Sequence, residues 1–122
     1  MGEITLQQAL NIAAEKHKKG ELDEAESIYI KILEKNPKNP DALHLLGLIA
    51  HQRGKHEEAA DLIKKAIEID KNATYYGNLG MIYDKSGEEE KSEEAFNTAL
   101  SINPGYTQAY LAHYNLGIFS EE

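Results

Sequence analysis

The chain has 122 residues, 41% of them hydrophobic and 28% charged, which suits one globular domain that folds without a metal or disulfide. It contains no cysteine, so disulfides, thiolate zinc sites and cysteine nucleophiles are excluded. A formal net charge of −8 argues against sequence-independent binding to a phosphate backbone, and no apolar run is long enough to span a bilayer.

The start, Met1-Gly2-Glu3-Ile4-Thr5, is too polar for a secretion signal, and Leu6 stands where a myristoylation motif needs a hydroxyl, so a soluble cytoplasmic chain is expected. The first predicted helix covers about 5–19. Thr5 and Gln8 form a capping box at its start, and Gly20 ends it. A second follows at 22–35, with Pro37 just beyond it. Asn39 then caps a third helix over 40–53, with Pro40 in its first turn. Leu43, Leu46, Gly47 and Ala50 recur there at helical spacing, and Gly54 closes the segment. The fourth helix, 56–69, repeats the rhythm at Ala59, Ile63, Ala66 and Ile67. Tyr76, Leu79, Gly80 and Tyr83 mark a fifth at 73–86, followed by Gly87. A sixth is expected at 89–102 and a seventh at 107–119, the last crowded with Tyr110, Leu111, Tyr114, Leu116, Ile118 and Phe119. Nothing alternates with period two for long enough to form a strand, so the fold class is all-α.

These segments repeat. Gly20, Gly54 and Gly87 are spaced by 34 and 33 residues. Five residues after each stands Ala25, Ala59 or Ser92, and seven before each stands Ala13, Gly47 or Gly80. The series continues through Tyr29, Ile63 and Phe96, and through Ile32, Ala66 and Ala99. Each unit therefore reads as two helices that meet at small side chains. Gly47 is expected opposite Ala59, and Gly80 opposite Ser92.

The run Tyr76-Gly77-Asn78-Leu79-Gly80, with Tyr83, Gly87, Phe96, Ala99 and Pro104, resembles the tetratricopeptide repeat, a 34-residue helix–turn–helix unit. Lys16 and Glu89 depart from the aromatic common at their positions, and the second unit is one residue short near Asn72. The resemblance implies a right-handed α-solenoid occupying 1–122 as a single domain. It comprises three hairpins, at about 6–39, 40–72 and 73–106, and a closing helix at about 107–119. It also implies that the first helices of the hairpins line an inner concave groove, with the second helices outside.

Charge divides along that line. First helices carry three acidic against five basic side chains, whereas second helices with their flanking residues carry fifteen against six. The groove is thus expected to be near neutral or mildly basic, and the outside acidic.

By that implication the function is a non-catalytic protein–protein interaction module that binds a peptide segment of a partner in the groove. Leu45, Leu48 and Met81 are the expected apolar anchors, because their core roles are already filled by neighbours. Asn11, His44 and Asn78 are the expected polar contacts, since an asparagine amide both donates to and accepts from a peptide backbone. Lys18 and Lys85 sit at the rim. Asn11 and Asn78 share a repeat position, similar to the asparagine ladder in the repeat region of O-linked N-acetylglucosamine transferases, although Leu45 interrupts the series. Leu10 and Asn78 stand where repeats that clamp chaperone C-termini carry Lys and Arg, so chaperone-tail binding is not expected.

No Ser-His-acid order, phosphate-cradling loop or metal motif is present. His44 and His51 lie too far apart along one helix for a shared ion, and His17, His56 and His113 show no ligand spacing. No catalytic residue, cofactor, metal, nucleic acid or membrane partner is therefore expected. Two other readings are a self-associating scaffold joined through residues 107–119, and the repeat region of a larger enzyme such as a glycosyltransferase.

Overall fold

The computed structural model describes residues 4–106, which form six helices in three consecutive hairpins: α1 (Leu6–Lys18), α2 (Leu22–Lys35), α3 (Pro40–Gln52), α4 (His56–Ile69), α5 (Ala73–Lys85) and α6 (Glu89–Ile102). No strand occurs among the described residues, and none of their helices is long and apolar enough to cross a membrane. The helix expected at 107–119, with the scaffold contact assigned to it, lies outside the described residues.

Local chemistry sets the helix limits. The Thr5 hydroxyl accepts from the Gln8 amide at 3.0 Å while the Gln8 side chain accepts from the Thr5 amide at 2.8 Å, closing the expected capping box. Asn39 caps α3 by accepting from the Ala42 amide at 2.8 Å, ahead of Pro40. Asn72 does the same for α5 through Thr74. The second helices lack a side-chain cap, but Glu57 and Glu58 on α4 and Glu89 and Glu90 on α6 place negative charge in the first turn, where the helix dipole favours it.

Each hairpin turn is the same device. Gly20, Gly54 and Gly87 have φ of 81°, 80° and 84°, the left-handed conformation that stops a helix. The next residue's amide then bonds back across the turn: Glu21 to the Lys16 carbonyl, Lys55 to Ala50 and Glu88 to Tyr83, each at 2.9 Å. With the glycine's own bond to the carbonyl three residues earlier, this is the paired closure of a Schellman motif.

Inside each hairpin the small residues let the backbones close together. A methyl group on Gly47 would stand 2.9 Å from Ile63 Cγ1 and 3.1 Å from the Ala59 carbonyl oxygen; one on Gly80 would stand 2.7 Å from the Phe96 ring. Ser92, fully buried, donates to the Gly80 carbonyl at 2.8 Å and so ties α6 to α5 at their closest approach. Cores between successive helices join the hairpins into a helical solenoid. Ala13, Ala25, Tyr29 and Ile32 pack with Ala42 and Ile49 between the first two hairpins. Leu43, Ala59 and Ile63 pack with Tyr75, Leu79 and Ile82 between the second and third.

The first helices lie closer to one another than the second helices do. His17 of α1 donates to Gln52 of α3, and α3 touches α5 directly. On the other side, a cleft of about 390 Å³ lined by Lys64, Tyr76, Tyr83, Lys91 and Thr98 opens between α4 and α6. The array therefore bends with α1, α3 and α5 on its inner side.

Candidate functional site

The inner side runs from α1 through α3 to α5. On α1, Asn11 and Lys18 are exposed, and Gln7 Nε2 donates to Asn11 Oδ1 at 3.0 Å along the helix. On α3, Leu45 and Leu48 are half-buried. Leu45 packs against the core shared with the first hairpin, and Leu48 against the core shared with the third. On α5, Met81 is half-buried beside Phe96 and Ala99, and Lys85 is exposed. The three apolar side chains thus divide their surface between inter-helix packing and solvent.

His44 and Asn78 occupy a different place. They are 6% and 7% exposed, and Asn78 Nδ2 donates to His44 Nε2 at 2.7 Å. Beside them the Tyr75 ring lies 4.5 Å from the His44 ring, and its hydroxyl donates to Asp41 Oδ1 at 2.5 Å. The four residues form a polar seam between α3 and α5 beneath the groove surface. Burial drives the His44 pKa down to about 4, partly opposed by Asp41, so the ring is neutral at pH 7 and Nε2 is free to accept. Burial, reinforced by the Asp41 hydrogen bond and charge, likewise raises the Tyr75 hydroxyl well above the usual phenol value. Asn11 and Asn78 therefore share a repeat position without sharing a setting: one is exposed on α1, the other engaged with a histidine.

At the carboxyl-terminal end of α3, a histidine contact appears that spacing along a helix does not suggest. His51 Nδ1 and His56 Nδ1 stand 3.1 Å apart across the Gly54 turn, with ring centroids 5.1 Å apart. Burial lowers the His51 pKa, with His56 and Lys85 adding to the effect. The signal available in the sequence was the turn itself, since a left-handed glycine folds residues five apart back toward each other.

Ion pairs concentrate on the side of the second helices. Arg53 bridges from the end of α3 to Glu26 at 2.8 Å and to Asp23, both on α2. Lys16 pairs with Glu24 at 3.1 Å and Glu21 at 3.4 Å. Lys18 and Lys85, by contrast, make no ion pair among the described residues, which leaves their charge available at the groove rim.

Two tetratricopeptide repeat family models match the chain, over residues 10–74 and 73–106. The transcription activator GutR of Bacillus subtilis is 34% identical over 111 residues, covering 83% of this chain, which spans 13% of that protein's length. Among solved structures, an O-GlcNAc transferase mutant of Thermobaculum terrenum is 30% identical with a TM-score of 0.88, over 97% of this chain and 24% of the transferase chain. The first repeat domain of Spaghetti (RPAP3), solved with an HSP90 peptide, has a TM-score of 0.84 at 17% identity, over 92% of this chain and 90% of its own. At that identity the likeness is one of fold.

Proposed function

We propose that this chain, which belongs to the tetratricopeptide repeat family, holds a partner's peptide segment against the inner face formed by α1, α3 and α5. The family is one of protein-interaction modules, and the binding role is carried by the repeats themselves without catalysis. The observation that carries the reading is the half-buried row Leu45, Leu48 and Met81 on consecutive first helices, between the exposed cations Lys18 and Lys85. Apolar side chains that the fold covers only in part gain further burial from a ligand, while a rigid helical face loses little entropy on binding.

Within that reading Asn11 offers an amide to the peptide backbone. His44 and Asn78 support the floor of the groove from beneath, through their mutual bond. Lys18 and Lys85 favour a segment with acidic side chains, against the acidity of the chain as a whole. Peptides captured from an array test this. Leu48→Glu and Lys85→Glu are expected to abolish or weaken capture, and Asn97→Ala on exposed α6 to leave it unchanged. Equal capture by all three, with helical circular dichroism intact, would remove the groove assignment.

A second reading is favoured by the match to the transferase structure over nearly all of this chain. Here the same face presents a protein substrate to a catalytic domain of a longer polypeptide. A coding sequence that continues into such a domain is the observation that would support it.

A further inference from the structure

We propose that His51 and His56 form a two-imidazole site for a divalent transition-metal ion at the Lys85 end of the groove. Two imidazole nitrogens bound at 2.0–2.1 Å to one ion stand about 3.3 Å apart at a tetrahedral angle and about 2.9 Å apart at a right angle. His51 Nδ1 and His56 Nδ1 are separated by 3.1 Å, between those limits, and the rings are tilted 49° to one another rather than stacked flat.

The backbone holds this arrangement ready. His51 lies in the last turn of α3 and His56 opens α4, and the two are joined by the left-handed Gly54. His51 contributes its carbonyl to that closure by accepting from the Gly54 amide at 2.9 Å, and Lys55 bonds to Ala50 at 2.9 Å. Bringing the two imidazoles together therefore costs little further ordering.

The same surroundings define the class of site. No third histidine, cysteine or carboxylate joins the pair to make a closed cage among the described residues. Two protein nitrogens leave the remaining positions to water or to a group brought by a bound partner, an exchangeable site and not a structural one. Imidazole donors suit nickel, copper and zinc over magnesium or calcium. The nearby Lys85 ammonium opposes a cation, which limits affinity but leaves the 3.1 Å spacing of the two nitrogens unchanged. Because His51 lies on the α3 stripe next to the groove, an ion held there would also reach an acidic or histidine side chain of a peptide lying along that face.

The test is calorimetric titration of the tag-free chain with nickel chloride and with zinc chloride, alongside His51→Gln, His56→Gln, His17→Gln and His113→Gln. One ion per chain is expected in the parent protein, weakened at least about tenfold by either His51→Gln or His56→Gln and unchanged by the other two. Proton NMR of the parent protein supplies a readout that needs no variant: nickel is expected to broaden the ring signals of His51 and His56 first. The proposal is overturned if no saturable binding occurs up to about 1 mM metal, which makes the pair an N–H···N hydrogen bond only. It is equally overturned if binding persists in both variants, or if other histidine signals broaden first.

Discussion

Acidification from pH 7 to pH 5 is expected to cost the folded chain about 2 kcal/mol through His44 alone. The folded ring titrates at about 4 because burial disfavours its cation, whereas in the unfolded chain it titrates near the ordinary 6.5. Below pH 6.5 the unfolded chain therefore takes up a proton that the native state refuses, and stability falls with pH until the folded ring also titrates near 4. Each pKa unit corresponds to about 1.4 kcal/mol, so the loss levels off at about 3 kcal/mol. Structure explains the refusal, because a proton on Nε2 would face the amide donor of Asn78 at 2.7 Å. Carboxylates with lowered pKa, Glu24 and Glu88, lose their contributions in the same direction but only at lower pH, through their folded pKa values below 4.5. His51 acts in the same sense as His44, with its pKa also lowered. His44→Gln isolates the contribution of this ring, since the glutamine oxygen still accepts from Asn78 but does not titrate. Urea unfolding at pH 7, 6 and 5 is expected to give a shallower decline in His44→Gln than in the parent chain. Parallel declines would refute the account of a buried, neutral His44.

Tyr29→Phe is expected to stabilise the chain by about 1 kcal/mol, because the Tyr29 hydroxyl is buried without a hydrogen-bond partner among the described residues. A raised thermal midpoint checks it. Gly80→Ala should lose roughly 1–3 kcal/mol, since the new methyl meets the Phe96 ring at 2.7 Å deep in the third hairpin. Gly54→Ala has open space around its side chain, so any loss, about 1–2 kcal/mol, comes from the left-handed backbone alone. Comparing their denaturant midpoints separates crowding from strain. Asn39→Ala is expected to cost about 1 kcal/mol by removing the cap on α3, read from the same unfolding curves.

The helices were legible because their ends are written locally. Segments 22–35, 56–69 and 89–102 match α2, α4 and α6 to the residue; α3 and α5 end one residue earlier than expected, and α1 is one residue shorter at each end. Capping side chains and left-handed glycines act within a few residues, so spacing alone places them. The small-residue contacts were legible for a related reason, since the repeat puts Gly47 by Ala59 and Gly80 by Ser92 in the same register. Contacts between repeats were harder to read. His44 and Asn78 both lie on a polar-looking stripe, and hydrophobic periodicity carries no sign that α5 would bring one onto the other. The partial burial of Leu45, Leu48 and Met81 has the same origin, because it depends on how far neighbouring hairpins rotate as they stack. The approach of His51 and His56 leaves no mark in helical spacing, since a turn and not a helix joins them.

The inner face of α1, α3 and α5 is the part of the account most open to direct trial. Backbone amide NMR of the chain saturated with an array-captured peptide reads it residue by residue. Shifts are expected to concentrate at Asn11, Leu45, Leu48, Met81 and Lys85. Perturbations confined to α2, α4 and α6, with those five residues unmoved, would contradict it.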